Sequence, residues 1–506
     1  MPVSTRRIEA RTHQDDRVDE TPLTDERGPQ RAGVDTSVTR VEPTLLHSAV
    51  VRSGRRVVVI DDDPTGTQSV ADVPIVTQWG VTDLRWALTQ PTTALFVLTN
   101  SRSQSTDAAR HINAEVVSNL MQAATDLGIE VSIISRSDST LRGHFPAETD
   151  AIAEAWQRQS GRHVDVMLVC PAYPEAGRVT VDDVHWVTEG RIRIPVAETE
   201  FARDATFGFI HSNLKDWIEE RSVGRWPARL IDAISLNDIR TGGPSLVARR
   251  LMARSHGAPV VVNAADASDL DVVAMGVLIA ESRGTTVLCR TGPSFVRARS
   301  GQSTRPPLTP AELRQATGDG LSDHGLLVVG SHTQLTTRQM FRALRLGGFV
   351  EVEVEVRSLL DPARADAAIA LGIDRVVGGL LSDDVLLRTS RDLVKGSTPS
   401  ESLGISRLVA DHLARIVAAS VAQARPRWVV GKGGITASDV VTSGLGLRRA
   451  WVLGQMLPGR VSAWMPASND KHNRPLCVVF PGNVGDDDSL ANVVGRLRTH
   501  VEPAPC

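Results

Sequence analysis

Aromatic residues are scarce in this 506-residue chain, with one tyrosine, Tyr173, and an aromatic share of 4%. That argues against the stacking platforms on which single-stranded nucleic acid binds. There is no long Lys/Arg run, and 56 basic against 59 acidic residues leave a formal net charge of -3. Neither nucleic acid nor an anionic membrane surface is indicated as a partner. The four cysteines (Cys170, Cys289, Cys477 and Cys506) form no C-x-x-C pair and read as free or buried thiols of a reducing compartment. No apolar run approaches the ~18–20 residues that cross a bilayer. The N-terminus has no signal-peptide core, so a cytoplasmic protein is expected. Several chemistries lack their motif. No H-x-x-x-H spacing links the scattered histidines, which argues against a protein zinc site. No G-x-S-x-G elbow, no G-x-x-x-x-G-K-[ST] loop and no G-x-G-x-x-G after a strand occurs,.

What is present is an ordinary globular composition, 41% hydrophobic, and a length that suggests two or three domains. Residues 1–44 are polar, of mixed charge and aperiodic, and read as a disordered tail. From about residue 45 apolar runs alternate with helical stretches. Strands are predicted at VVVI, ALFVL, VSIIS and VDVMLVC, with helices over about 107–127 and 146–156,. Such alternation implies βαβ units and a largely parallel sheet. The proline-rich stretch GQSTRPPLTPAEL breaks the rhythm and places a linker at 301–324 between domains 45–300 and 325–500. The second domain repeats the pattern with GLLVVGSH, VEVEVEV, WVVGKGG and LCVVFPGN, and with helices at about 336–346, 362–371 and 402–423. The expected fold is therefore α/β, two domains each with a mostly parallel sheet flanked by helices, and an active site in the cleft between them.

Three strands of the first domain end in polar clusters: DDDPTGTQ (61–68), TNSRS (99–103) and SRSDSTLRGH (135–144). In a parallel sheet these ends share one edge, where ligands bind. Together they offer Asp62, Asp63, Arg102, Arg136, Asp138, Ser139, Thr140 and Arg142. Arginine grips a planar carboxylate through paired donors. Aspartates and hydroxyls suit the hydroxyls of a polyol or sugar acid, and an Asp beside a reacting hydroxyl can act as general base. PAYPEAGRVTVDDVHWV (171–187) reads as a rigid loop from which Arg178 could reach an anion. The second domain's strands end instead in glycine: GSH (330–332), GKGGIT (431–436) and PGNVG (481–485). Such turns let backbone N–H groups approach phosphate oxygens. Thr436 and Ser438 are expected at the start of a helix, as N-caps or phosphate ligands.

Two other functions fit part of the pattern. Asp61, Asp63 and Thr65 match the D-x-D-x-T of haloacid-dehalogenase-type phosphatases, with Asp61 as nucleophile. VLTN and the acidic run Asp486–Asp488 resemble that superfamily's later motifs. A non-catalytic metabolite sensor is the second alternative.

The ordered motifs resemble the four-carbon acid sugar kinase family over about residues 57–490. They are D-D-P-T-G (62–66), T-N-S-R-S (99–103), R-S-D-S-T-L-R-G-H (136–144), P-A-Y-P…G-R…H-W-V (171–187), V-G-S (329–331), G-G-I-T-A (433–437) and G-N-V-G (482–485). The resemblance implies a sugar-acid-binding domain followed by a nucleotide-binding domain. It also implies ATP and Mg²⁺ as cofactors and transfer of a phosphoryl group to the acid's terminal hydroxyl. Carried over by motif, Asp62, Arg102 and the segment Arg136, Ser137, Asp138 and Ser139 would contact the acid; Asp63 and Arg142, in the same strand-end clusters, are expected beside them, and Asp62 or Asp138 is the candidate base. Ser331, Gly433, Gly434, Thr436, Gly482 and Asn483 would hold ATP. Three positions depart from the family: Arg136 replaces a lysine, His144 an asparagine, and Ile435 an acidic residue usually assigned to Mg²⁺, for which Asp439 is the nearest substitute. A homodimer is the default oligomer.

Overall fold

The computed structural model describes residues 39–190, 192–318, 320–391, 394, 396–467, 475–482 and 484–498. Structure begins inside the expected tail: the Thr39 amide donates to the Arg240 carbonyl at 2.6 Å, and a helix runs over Pro43–Arg52, its Leu46 and Val50 buried. The remainder of that tail, up to residue 38, lies outside the described residues.

The first half contributes β1 (Arg56–Asp61), β2 (Val73–Val76), β3 (Ala94–Leu98), β4 (Val131–Arg136) and β5 (Val166–Cys170). Three short strands follow, β6 (Arg178–Val181), β7 (Val184–Glu189) and β8 (Ile192–Pro195), then β9 (Asp232–Ile234), β10 (Ala258–Val262) and β11 (Val287–Thr291). The second half adds β12 (Leu326–Val329), β13 (Phe349–Val354), β14 (Asp384–Thr389), β15 (Trp428–Lys432), β16 (Arg449–Leu457), β17 (Val461–Pro466) and β18 (Leu476–Phe480). β1, β3, β4, β5 and β11 are mainly apolar and buried almost throughout, as expected of strands covered by helices on both faces. β13 differs: its glutamates are exposed while Val352 and Val354 are buried, the alternation of a strand with one wet face.

The two halves do not keep separate sheets. Among the described residues fifteen strands form one sheet in the order β13-β14-β12-β15-β18-β17-β16-β2-β3-β1-β4-β11-β5-β10-β9, and β6-β7-β8 form a separate three-stranded sheet. The seam is the antiparallel pair β2–β16, Val76 opposite Arg449. Asp83, buried beside the seam, accepts from Arg448 at 2.7 Å and Arg449 at 2.8 Å. Three antiparallel steps (β2–β16, β16–β17, β17–β18) separate two otherwise parallel sets. β16 carries register shifts between Val452 and Gly454 and between Gln455 and Leu457, and such bulges bend a strand and increase its twist. The segment between the halves packs rather than hangs. Leu308 donates its amide to Gln455 O at 2.7 Å, and Leu308 and Leu313 are buried against the second half's core.

Register is what aligns the polar clusters. Asp61 stands level with Leu98 on β3 and with Arg136 on β4, and Thr291 on β11 stands level with Arg136. The first half's strand-end loops therefore leave the sheet at one height. In the second half Val329, Lys432 and Phe480 are likewise level across β12, β15 and β18, so the three glycine turns start together.

Candidate active site

At the first edge the backbone turns sharply after β1. Pro64–Ser69 is a short 3₁₀ helix in which the Asp63 carboxylate caps the Thr65 amide at 2.8 Å. Asp61 points under this turn. It is 0% exposed and accepts from Arg136 Nη1 at 2.8 Å. A Cβ at Gly66 would fall 1.9 Å from its Oδ2, so only glycine closes the turn over it. Burial pushes the Asp61 carboxyl up to about 7 against the opposing pull of Arg136. A carboxylate sealed in this way cannot attack a substrate phosphate, which removes the geometric basis of the phosphatase reading. Acids of the run that resembles a later phosphatase motif are engaged elsewhere: Asp486 accepts from Ser489 Oγ at 2.7 Å, and Asp487 pairs with Arg338 at 2.8 Å.

Asp62 and Asp63 face the other way. Arg102 Nε donates to Asp62 Oδ2 at 3.0 Å, its Nη2 to Asp62 Oδ1, and its Nη1 to Asp63 Oδ2 at 3.2 Å. Arg136 stands 3.6 Å from Asp62. Burial disfavours the charged form of Asp63, but Arg102, Arg136 and Thr65 outweigh it and hold the carboxyl below the usual range. Asp138 behaves alike. Its Oδ2 accepts from Thr140 Oγ1 at 2.5 Å and from Arg142 Nε at 2.6 Å. Against the cost of burial, Arg142, Arg102 and Arg178 place its carboxyl well below the ordinary value. Ser137 and Ser139 are buried between these groups. Gly143, at φ +122, brings the chain so close that a Cβ would lie 3.4 Å from Asp62 Oδ2.

The segment expected as a loop, 171–187, is instead a hairpin. β6 pairs antiparallel with β7, and β7 with β8. The alternation of the four residues RVTV and the β-branched and aromatic run VHWV are the available signal, obscured by the flanking prolines. The hairpin closes over the site: Arg178 Nη1 donates to Ser139 Oγ at 2.8 Å, and His185 Nε2 lies 2.8 Å from Ser139 O. The lone tyrosine, Tyr173, donates to Gln68 at 2.7 Å and so ties the hairpin to the turn after β1.

Two buried charges escaped the sequence reading. Arg290, 1% exposed, lies against Phe145 and Trp217 at 5.5 and 4.9 Å, within electrostatic reach of Asp62, Glu148 and Asp138. A single arginine inside the apolar run VLCRT was its only trace. Glu148, on the helix Ala147–Ser160, accepts from Ser101 Oγ at 2.5 Å. Burial, with Asp62 second, pushes its carboxyl up to about 7. A carboxyl raised in the folded state stabilises the fold fully below its unfolded pKa, near 4.5, and loses that contribution as pH rises through about 7,. Glu148→Gln removes this dependence. Differential scanning fluorimetry between pH 5 and pH 8.5 is expected to show the variant gaining on the wild type by about 2 °C as pH rises; a constant gap would contradict the raised carboxyl.

At the second edge, Ser331, Gly433, Thr436 and Gly482 converge. A Cβ on Gly482 would be 3.1 Å from Ser331 Oγ, and one on Gly433 3.1 Å from Ser331 Cβ. Only glycine fits at 330, because a Cβ there would lie 2.3 Å from Thr436 Oγ1. Thr333 and Thr336 both donate to the Gly482 carbonyl, at 3.1 and 3.0 Å. Lys432, fully buried, donates to Pro481 O at 2.6 Å and lies over Phe480, with its amine pulled down to about 7 by burial. Two helices start at this cradle, Gln334–Leu344 and Gly434–Asp439. Thr436 and Ser438 lie within the second helix, whose N-cap is Gly433, so neither is the N-cap expected from sequence: the helix starts at Gly434, directly after the strand-end glycine. Asp439 ends that helix, its carboxyl raised to about 6 by burial and by Asp411. Asn483 lies outside the described residues.

The two edges meet. A Cβ on Gly434 would lie 3.5 Å from Asp63 Oδ2, and Arg407, from the helix Pro399–Ala424, donates to the Ser103 carbonyl. The glycine cradle thus abuts the aspartates.

Comparison with known proteins follows the same division. A sugar-binding N-terminal domain family matches residues 57–299, and a nucleotide-binding C-terminal domain family matches 326–490. A D-threonate kinase of Bordetella bronchiseptica is 27% identical over 452 residues, covering 87% of this chain and 97% of its own. A D-erythronate kinase of Heliobacterium modesticaldum is 28% identical over 247 residues, 49% of each chain. Crystal structures of proteins from Salmonella typhimurium LT2 and Haemophilus influenzae share the fold. Their TM-scores are 0.61 and 0.56, at 18% and 19% identity, over 86% and 87% of this chain and 98% and 99% of theirs. With both domains present in this order and the D-threonate kinase matching across both, the chain belongs to the four-carbon acid sugar kinase family.

Proposed function

We propose that this protein uses ATP to phosphorylate the terminal hydroxyl of a four-carbon sugar acid of the tetronate or 3-oxo-tetronate type. The observation that carries the reading is the approach of Gly434 to Asp63, which sets a phosphate cradle against a carboxylate and guanidinium cluster. The cradle fits a triphosphate: glycines whose Cβ atoms would fill it surround Ser331, and helix N-termini supply amide donors. Ser331, Gly433, Gly434, Thr436 and Gly482 would hold ATP, and Asn483 is proposed beside them by motif. Among the described residues no group of three or more acidic, histidine or cysteine side chains able to hold a metal occurs. Mg²⁺ would therefore be carried by phosphate oxygens and water, where it neutralises charge during transfer.

Phosphoryl transfer demands positioning and charge neutralisation more than covalent help. Asp63 and Asp62, fixed by Arg102, orient the acid's hydroxyls next to the cradle, and Asp62 accepts the proton of the attacking one. Arg136, Ser137, Asp138, Ser139 and Arg142 hold the rest of the acid. The helices and hairpin that close over the cluster exclude water. A coupled assay of ATP consumption over a panel of erythronates, threonates and 3-oxo-tetronates tests the reading, with saturable turnover expected for at least one acid. If acids bind and none drives ATP consumption, the protein is a sensor and not a kinase.

A further inference from the structure

Five guanidinium groups converge on the aspartate cluster, and they are not equivalent. Arg102 spends its donors on Asp62 and Asp63. Arg136 is committed to Asp61 and to the Asp63 carbonyl, and Arg142 to Asp138 and Asp204. Arg290 has free donors but is 1% exposed and walled by Phe145 and Trp217. Arg178 alone is both partly exposed and without a carboxylate partner: Nη1 donates to the neutral Ser139 hydroxyl, and its buried Nε has no partner.

A largely enclosed cation that makes no direct carboxylate contact, with Asp138 only at electrostatic range, is costly,. The site nonetheless holds Arg178 firmly. Its backbone pairs with Tyr173 in both directions, at 2.7 and 3.0 Å. Its guanidinium lies 5.9 Å from the Tyr173 ring and 5.7 Å from the Phe201 ring, and Arg142 lies against the same Phe201 at 5.1 Å. Gly177, at φ +71, tightens the hairpin start, where a Cβ would strike Thr188 at 2.7 Å. A residue so braced, with unspent donors and a surplus charge, is prepared for an anion supplied from outside. Burial, with Arg142 and Arg136 adding to it, holds its guanidinium below the ordinary value against the pull of Asp138, a cost that a bound carboxylate offsets.

We propose that Arg178 receives the substrate's carboxylate, so that the acid lies with its C1 end at Ser139 and the β6–β7 hairpin and its far hydroxyl at Asp62, Asp63 and Gly434. This inference rests on the kinase reading for its far end only; the carboxylate contact stands on the uncommitted guanidinium. It makes the hairpin the element that selects acids over neutral polyols, because a hydroxymethyl group in that place leaves Arg178 without its counter-ion.

The test is calorimetric binding of a four-carbon acid and of the matching tetritol to wild type, Arg178→Lys and Arg178→Gln, with ATP affinity and thermal unfolding measured alongside. Wild type is expected to prefer the acid. Arg178→Gln is expected to weaken acid binding by about 10- to 100-fold and to erase most of that preference, with Arg178→Lys restoring part of it. ATP affinity should not follow. Equal acid affinity in wild type and Arg178→Gln overturns the inference and leaves the kinase reading intact, and so does an equal loss for acid and tetritol. Weakened acid binding in variants of a wild type that never consumes ATP supports the inference and overturns the kinase reading. A wild type that binds no acid overturns both.

Discussion

Asp62→Asn is expected to lower turnover by about 10²–10⁴-fold, the range for removal of a positioned general base, while acid binding changes far less. The asparagine keeps the shape and one acceptor for Arg102, which otherwise grips both carboxylate oxygens, so the turn after β1 should hold. What it loses is a charged acceptor for the hydroxyl proton beside the nucleotide cradle. Asp138→Asn should behave differently. Arg142, Arg102 and Arg178 hold the Asp138 carboxyl well below the ordinary range in spite of burial, so it is a poor proton acceptor and its loss should raise KM for the acid more than it lowers kcat. Steady-state kinetics on both variants, with unfolding midpoints to exclude collapse, separate the roles. Turnover of Asp62→Asn within tenfold of wild type would mean that the proton leaves without it.

Gly433→Ala is expected to raise KM for ATP by about 5- to 150-fold, with calorimetric binding of the acid nearly unchanged. The residue sits at φ +121, a region that costs a residue with a side chain on the order of 1–3 kcal/mol. Its new methyl would lie 3.1 Å from Ser331 Cβ and 3.3 Å from Thr436 Oγ1, inside the space proposed for phosphate. The strain is confined to the turn between β15 and its helix, so the aspartate cluster on the other edge should be spared. If acid and ATP affinities fell together, the two edges would be one mechanical unit and not two adjoining sites.

The elements and their polar ends are legible in the residues themselves. Apolar runs such as VVVI and ALFVL can only be strands buried on both faces, and DDDPTGTQ, TNSRS and SRSDSTLRGH can only follow them. Parallel pairing then puts those loops on one edge, and the structure has Asp61, Leu98 and Arg136 in register. The ordered motifs were enough to indicate the family. Side-chain direction was not legible, because three consecutive aspartates look alike until the turn after β1 is built. Gly66 then seals Asp61 beneath it, while Asp62 and Asp63 are left to Arg102. Contacts between distant segments were equally hidden. Arg290 and Glu148 meet Asp62 only because β11 and the helix after β4 pack beneath it. The β2–β16 seam pairs residues more than 370 positions apart, and no local pattern encodes such a partner. The hairpin at 178–189 was misread because prolines signal a loop locally, while strand pairing depends on what the chain finds across from it. Which charges are spent on one another and which, like Arg178, make no direct carboxylate contact emerges only on folding, since that balance is a property of neighbours in space.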